Sequence, residues 1–152
     1  MREKWRWWFG SGTGGKEKGE RKGKRKKVGK ERKEERKTRE ERGKNVRVGP
    51  FSTIGQRVKI GDRTEIGPNV HIKADTVVGA DCRIFHGASI GGDPQIEGAH
   101  NIISTVEIGD QTTVREFVTI HRSANENEKT TVGKGCLIMA YAHIAHDCVI
   151  GD

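Results

Sequence analysis

The sequence predicts an all-β chain: a parallel β-helix of hexapeptide repeats, in about five to six triangular coils, preceded by a basic arm. The first observation is a six-residue period, because seventeen of eighteen consecutive sixth positions from Val48 to Ile150 are Ile or Val, and only Glu126 departs. A period of six matches neither a helix nor the alternation of an ordinary strand. Hexapeptide repeats are typical of a parallel β-helix, in which three hexads complete one coil.

The second observation is a change of composition near residue 44. Residues 1–44 hold 19 Lys+Arg and 8 Glu, a net charge of +11, whereas residues 45–152 hold 10 Lys+Arg and 13 Asp+Glu, a net charge of −3. The first segment has almost no apolar residue to bury, so it is predicted to be a disordered arm or a solvated helix. Its charge predicts weak binding to polyanions. Residues 45–152 are predicted to form the β-helix.

Each hexad has a second conspicuous position, four residues after the Ile or Val, which is usually small or β-branched. We expect both residues to point into a central column, and the glycine that often follows the aliphatic residue to occupy the tight corner. Cys82, Cys136 and Cys148 all fall on the small position, so they are predicted to be core residues. Free core thiols fit a reducing compartment, and no apolar run predicts a signal peptide or a membrane span. A cytoplasmic location is therefore expected.

Residues 142–148, AHIAHDC, hold the densest group of residues that could carry chemistry. The register places His143, His146 and Asp147 on the outside of the coil, near a corner. Three interpretations remain open: a metal site, a polar patch of scaffold, or a histidine general base whose tautomer is fixed by the neighbouring carboxylate. The period alone does not choose between the two histidines.

The period fails at Glu126, inside a polar stretch without glycine. We predict that residues 122–130 form a loop that bulges from the coils. Such interruptions of a repeat often lie on the binding face. His121 directly follows the aliphatic residue Ile120 and stands just before this loop.

The segments around these residues resemble one enzyme family. VTIHRS (118–123), a short polar loop and LIMAYAHIAHDCVIGD (137–152) are similar to segments of the acyl-(acyl-carrier-protein)–UDP-N-acetylglucosamine O-acyltransferases, the first enzymes of lipid A synthesis. GASIGGDPQ (87–95) and VEIGD (106–110) fit the same family. This family belongs to the superfamily of hexapeptide-repeat acyltransferases. The resemblance covers about residues 45–152.

The resemblance implies a left-handed β-helix and a homotrimer with active sites between neighbouring subunits. It also implies transfer of a (3-hydroxy)acyl chain from an acyl carrier protein thioester to the 3-hydroxyl of UDP-N-acetylglucosamine. By position, His146 matches the family's general base, and Asp147 matches the acid that orients it. His143 and His121 match substrate contacts, and Gln95 matches a residue at the sugar-nucleotide end. The reaction needs no cofactor and no metal.

Two features depart from the family pattern. The family reads Gln-Asp-Leu-Lys where this chain reads Gln95-Ile96-Glu97-Gly98, so residues that help hold the sugar nucleotide are replaced. The resemblance also implies that the arm is unrelated to the family and that the family's later coils and C-terminal helical domain are missing after residue 152.

Three other functions remain open. One is the related UDP-3-O-acylglucosamine N-acyltransferase, or another hexapeptide acyltransferase, which an assay with both acceptors would distinguish. A second is a zinc enzyme of the carbonic-anhydrase type, which also uses a left-handed β-helix and requires stoichiometric zinc. The third is an inactive fragment that acts as an oligomerising or binding module through its basic arm.

Overall fold

The computed structural model describes residues 39–98 and 102–152, and all the regular structure in these two ranges is β-strand. Most of the basic arm predicted at residues 1–44 therefore lies outside the described residues. In the described part of the chain, no helix has the length and apolar character needed to cross a membrane.

The strands are short, with two to four residues each, and follow one another around a coil. In chain order they are β1 (Glu41–Arg42), β2 (Arg47–Val48), β3 (Thr53–Ile54), β4 (Lys59–Ile60), β5 (Glu65–Ile66), β6 (His71–Ile72), β7 (Thr76–Val78), β8 (Arg83–Ile84), β9 (Ser89–Gly92), β10 (Thr105–Ile108), β11 (Thr113–Val114), β12 (Thr119–His121), β13 (Lys129–Val132), β14 (Leu137–Ile138), β15 (His143–Ile144) and β16 (Val149–Ile150). They wind into a left-handed parallel β-helix, which confirms the predicted fold class.

Every third strand joins the same parallel sheet, so the coil has three faces. Sheet A has the order β1-β4-β7-β10-β13-β16, sheet B the order β2-β5-β8-β11-β14, and sheet C the order β3-β6-β9-β12-β15. The pairing stacks like residues on like: Ile66 lies beside Ile84 in sheet B, and Ile72 lies beside Ile90 in sheet C. The six-residue period in the sequence results from this stacking of like residues in successive coils.

The core is the central column that the period predicts. Ile72, Ile90 and Ile120 are at most 2% exposed, and the small positions between them are buried as well. Cys82 is fully buried, while Cys136 and Cys148 are partly buried against the same column, as expected for inward-facing residues. Each aliphatic side chain taken out of water contributes roughly 1.5–3 kcal/mol, so the column is the main source of stability.

The corners of the coil differ from the prediction. A left-handed backbone recurs three residues after the aliphatic residue, as at Phe51 (φ 60°), Tyr141 (φ 62°) and Asp147 (φ 62°), whereas the glycine directly after the aliphatic residue was expected there. Those glycines serve close packing between coils instead. A Cβ added to Gly109 would lie 2.7 Å from the carbonyl carbon of Gly133 in the next coil.

The chain leaves the coil for the first time between β9 and β10, at residues 93–104. The six-residue period does not reveal this departure, because Ile96 and Ile102 keep the regular spacing. Ile96 is 42% exposed, and neither residue belongs to a strand. The described residues of this segment therefore lie outside the regular coil, at the corner between sheets C and A.

The second excursion, between β12 and β13, corresponds to the loop predicted at residues 122–130. It occupies residues 122–128, because Lys129 and Thr130 already belong to β13. This loop leaves the coil at the same corner between sheets C and A as the first one. The two excursions therefore lie in consecutive coils on one edge of the β-helix.

The β-helix begins before the boundary predicted at residue 45. The amide of Glu41 donates to the carbonyl of Val58 at 2.8 Å, and the amide of Gly43 donates to that of Ile60 at 2.8 Å, so β1 pairs with β4. Arg42 occupies the position that holds Ile or Val in later hexads. The apolar period could not mark this strand, because backbone hydrogen bonds rather than a buried side chain define it.

Candidate active site

Sheet C and the corner after it bring three predicted site residues together. His121 ends β12 and His143 begins β15, and these strands are neighbours in the sheet. The two imidazole rings meet edge to face, with 4.9 Å between their centroids and an angle of 79° between their planes. His146 follows at the corner after β15.

His143 is oriented by a neighbour on the next strand. Its Nδ1 lies 2.8 Å from the hydroxyl of Thr119, directly beside it in sheet C. The same contact, also at 2.8 Å, joins Thr53 and His71 earlier in the sheet. The threonine–histidine pair therefore occurs twice on this face, and it fixes the orientation of each ring.

His121 occupies a more enclosed position. Gly92 lies beside it in β9, and a Cβ at Gly92 would lie only 3.1 Å from the imidazole Cδ2, so the glycine makes room for the ring. Its Nδ1 is buried and has no hydrogen-bond partner among the described residues. Burial lowers the pKa of His121, and the nearby His143 and His146 lower it further. A neutral ring follows at pH 7.

His146 and Asp147 form a hydrogen-bonded pair at the corner. Nδ1 of His146 lies 2.7 Å from Oδ2 of Asp147, and the two side chains are 30% and 34% exposed. Side chains of successive residues in a strand point to opposite faces, but the left-handed backbone of Asp147 turns them towards each other. The amide of Asp147 donates to the hydroxyl of Thr130 at 2.9 Å, which holds this conformation. With Nδ1–H donating to the carboxylate, Nε2 is free to accept a proton.

The other oxygen of Asp147 is held by the loop at residues 122–128. Oδ1 accepts hydrogen bonds from the hydroxyl of Ser123, from the amide of Ala124 at 3.2 Å and from the side-chain amide of Asn125 at 3.2 Å. The Ser123 hydroxyl, followed by His146, lowers the pKa of Asp147. The carboxylate is therefore ionised at neutral pH and can stabilise a protonated imidazole.

The two looped-out segments brace each other beneath this site. The hydroxyl of Ser104, at the end of the first loop, donates to the backbone carbonyl of Ser123 at 2.6 Å. The amide of Asn127 donates to the carbonyl of Ile103 at 2.7 Å. Sequence reasoning missed Ser123 and Ser104, and the only signal nearby was the failure of the period at the second loop.

Gln95 is placed apart from the histidines. It is exposed in the first loop, and no contact among the described residues joins it to His121, His143 or His146. The loop starts next to the site, however, because Asp93 forms an ion pair with Arg122 at 2.9 Å, directly after His121.

No group of three or more His, Cys, Asp or Glu side chains arranged to hold a metal ion occurs in residues 39–98 and 102–152. A catalytic zinc ion takes three protein ligands, and His121, His143 and His146 are not arranged to hold one ion together. The pairing of His146 with a carboxylate is instead the arrangement that orients a general base.

Comparisons with known proteins find related sequences and structures. The bacterial transferase hexapeptide (six repeats) family matches residues 43–74, 57–92 and 129–152. An acyl-(acyl-carrier-protein)–UDP-N-acetylglucosamine O-acyltransferase from a Sulfurihydrogenibium species is 55% identical over 109 residues, which cover 71% of this chain and 40% of that enzyme. The enzyme of the same name from Halorhodospira halophila is 53% identical over 111 residues, covering 72% of this chain and 43% of the enzyme.

Among solved structures, the UDP-N-acetylglucosamine acyltransferase of Francisella novicida superimposes with a TM-score of 0.71 and 40% identity. The match covers 74% of this chain and 42% of that structure. The chain contains the bacterial transferase hexapeptide repeat and is similar to these acyltransferases. It spans about two-fifths of the length of these relatives.

Proposed function

We propose that the chain transfers a (3-hydroxy)acyl group from an acyl carrier protein thioester to the 3-hydroxyl of UDP-N-acetylglucosamine, the first step of lipid A synthesis. The relatives are named for this reaction. The observation that carries the proposal is the 2.7 Å contact between His146 Nδ1 and Asp147 Oδ2, with the carboxylate held ionised by the second loop. This is the arrangement that leaves Nε2 of a neutral histidine available as a base.

In the proposed reaction, Nε2 of His146 removes the proton of the sugar hydroxyl while its oxygen attacks the thioester carbonyl. The C–O bond forms, and the tetrahedral intermediate collapses with cleavage of the C–S bond. The departing thiolate takes the proton back from the imidazolium, so the histidine is regenerated. Asp147 stabilises the imidazolium and fixes its tautomer. No covalent enzyme intermediate and no cofactor take part, and holding both substrates together supplies much of the rate.

The neighbouring residues take binding roles in this proposal. His143 and His121 present their rings on the same face as the base and contact the substrate, with His121 acting as a neutral hydrogen-bonding group. Gln95, in the loop that starts beside His121, contacts the sugar nucleotide. The altered residues after it, Ile96 to Gly98, weaken that contact relative to the family pattern.

The functional assembly that we propose is a homotrimer in which neighbouring subunits complete each site, working in the cytoplasm, where acyl carrier protein supplies the acyl chain. Outward-facing histidines on an open sheet face need a second wall to exclude water and to hold two large substrates. Residues 1–44 would add weak, salt-sensitive binding to polyanions. Sedimentation analysis tests the trimer, and deletion of residues 1–38, which keeps β1 in place, tests the role of the arm.

The decisive experiment is acyl transfer by the full chain, with acyl carrier protein thioester and UDP-N-acetylglucosamine as substrates. We expect turnover in the wild type and a loss of at least about a hundredfold in His146→Ala, the scale of general-base catalysis. His71→Ala is the matched control, because His71 makes the same threonine contact on the same sheet away from the dyad. A His146→Ala variant as active as the control would refute the assigned base.

A parallel assay with UDP-3-O-acylglucosamine separates the two related acyltransferases. Turnover only with this amine acceptor would reassign the reaction to the N-acyltransferase. A wild-type chain that forms trimers but is inactive with both acceptors would instead support an oligomerising or binding module.

A further inference from the structure

Ser123 makes a buried contact with the carboxylate of Asp147. The residue is fully buried, and its hydroxyl lies against Oδ1 of Asp147. An ionised carboxylate can only accept, so the hydroxyl donates its proton to Asp147. The amide of Asn125 donates to the same hydroxyl oxygen at 3.0 Å. Two acceptors lie within reach of the hydroxyl proton, and the Asp147 carboxylate is nearer than the Asn125 carbonyl, which lies at 3.3 Å.

The backbone of Ser123 is fixed as firmly as its side chain. Its carbonyl accepts the hydroxyl of Ser104 at 2.6 Å, and Ser104 is 1% exposed. Neither serine belongs to a strand or adds apolar surface to the central column. Buried hydroxyl groups must be satisfied by hydrogen bonds, and here the satisfied chain leads from Ser104 through Ser123 to Asp147.

We propose that Ser123 is a positioning residue, whose hydroxyl holds the Asp147 carboxylate in the orientation that selects the base-competent tautomer of His146. The proposal rests on the proposed acyl-transfer function of that pair. Ser123 itself reaches neither the base nor the substrate and acts only through the carboxylate.

The physical reason is that an aspartate carboxylate rotates easily about the bond between Cβ and Cγ. Rotation about χ2 of an aspartate is broad, so one hydrogen bond to His146 does not fix both oxygens. The charge-assisted bond from Ser123 holds Oδ1 inwards, which leaves Oδ2 facing Nδ1 of His146 at 2.7 Å. Without this bond only the longer contacts from Ala124 and Asn125, at 3.2 Å each, hold Oδ1. The carboxylate then rotates more freely, and the imidazole is held less firmly in the tautomer with its proton on Nδ1.

Other charged groups surround the same carboxylate and remain in every variant. Glu126, Glu128 and Lys129 border the hollow of about 550 Å³ beside Asp147. The two glutamates oppose ionisation of Asp147, whereas the lysine and a protonated His146 favour it. The contribution of Ser123 must therefore be measured as a difference between variants of one background.

The test compares Ser123→Ala with Ser104→Ala in the full chain. Ser123→Ala removes the donor to Asp147, whereas Ser104→Ala removes the anchor of the same loop and keeps that donor. The carboxyl carbon of Asp147 is titrated by NMR, with Asp147→Asn used to assign the signal, and the tautomer of His146 is read from its ring nitrogens. Melting temperatures confirm that both variants are folded, and kcat for acyl transfer is measured alongside.

In Ser123→Ala we expect a higher pKa for Asp147, a smaller fraction of His146 with its proton on Nδ1, and a kcat lowered about tenfold. In Ser104→Ala we expect the wild-type titration and tautomer. An unchanged Asp147 titration and His146 tautomer in Ser123→Ala, or equal changes in the two variants, would overturn the proposal. The NMR readouts do not need turnover, so an inactive wild type would defeat the proposed function without deciding this inference.

Discussion

His121 and His143 meet edge to face across two neighbouring strands, with 4.9 Å between ring centroids. The two imidazole rings lie close to a third, that of His146. Of the three histidines, His121 is the most enclosed. Burial first, and then these two neighbours, lowers the pKa of His121. Asp93 is the one nearby group that raises it.

This arrangement predicts that folding stability falls as the pH falls below about 6.5, the ordinary pKa of histidine. In the window between that value and the lowered pKa of folded His121, the unfolded chain binds a proton that the folded chain does not, so acid favours unfolding. His121→Gln should therefore lose less stability than the wild type between pH 7.5 and pH 5.5. Urea unfolding midpoints at both pH values measure the difference, with His71→Gln as the control variant. Equal losses in His121→Gln and the wild type would contradict this assignment.

Asp147→Asn is the informative change at the proposed dyad. Asparagine tolerates the left-handed backbone that Asp147 adopts, so the corner should keep its shape, whereas alanine would add strain. The neutral amide cannot stabilise an imidazolium, so we expect kcat to fall about a hundredfold with little change in melting temperature. Steady-state kinetics and thermal unfolding check both parts. A kcat within about twofold of the wild type would show that the carboxylate plays no part in proton transfer.

Phe51→Asn should stabilise the fold. Phe51 has a left-handed backbone (φ 60°) and is 83% exposed, so a bulky residue bears conformational strain there with little burial in return. Left-handed backbone costs an ordinary residue about 1–2 kcal/mol, and asparagine adopts it more readily. We expect a gain of about 1 kcal/mol in the free energy of unfolding, measured by urea denaturation.

Phe117→Asn is the matched comparison for that change. Phe117 shares the left-handed backbone (φ 56°), but its ring stacks on Tyr141 at 5.2 Å and meets His86 edge to face at 5.1 Å. Such aromatic contacts contribute roughly 0.5–1.5 kcal/mol each, so this variant should show no gain or a net loss. Equal gains in the two variants would mean that the aromatic stack contributes nothing.

Gly109→Ala should destabilise the β-helix although the change adds a single methyl group. The new Cβ would lie 2.7 Å from the backbone of Gly133, which belongs to the next coil and cannot move without shifting its strand. Overpacking of this kind costs about 1–3 kcal/mol. Gly151→Ala is the control, since a Cβ there meets no atom within 4 Å. Thermal unfolding compares the stabilities of the two variants. A Gly109→Ala variant as stable as the control would disprove the close approach of Gly109 to Gly133.

The sequence predicted the regular part of the fold well, because each coil repeats the same requirement. Ile72, Ile90 and Ile120 stack in one column, so the period in the sequence and the spacing of the strands are one property. The first loop could not be predicted in the same way. Ile96 and Ile102 keep the period but lie outside the strands, and only the pairing of β9 with β12 shows that the intervening residues were looped out.

The prediction of the site from the sequence is limited in the same way. The contact between His146 and Asp147 is local, so the pattern of residue types could suggest it directly. The contact between Ser123 and Asp147 spans 24 positions and depends on how many residues each coil contains. Ile120 and Val132 are twelve positions apart, six more than in a regular hexad, so a count of regular hexads assigns these residues to the wrong faces.

The two excursions have a consequence for the rotational phase of the chain. Six additional residues wound into the coil would turn everything downstream by a third of a revolution, because each hexad forms one of three faces. Had residues 93–104 been wound in, β12 would face a different side from β9, and His121 would no longer stand beside Gly92. Because these residues are looped out at an edge, the strands that follow stay in the same sheets. The number of residues in the loops at this edge can therefore change while every downstream side chain stays on the same face of the coil.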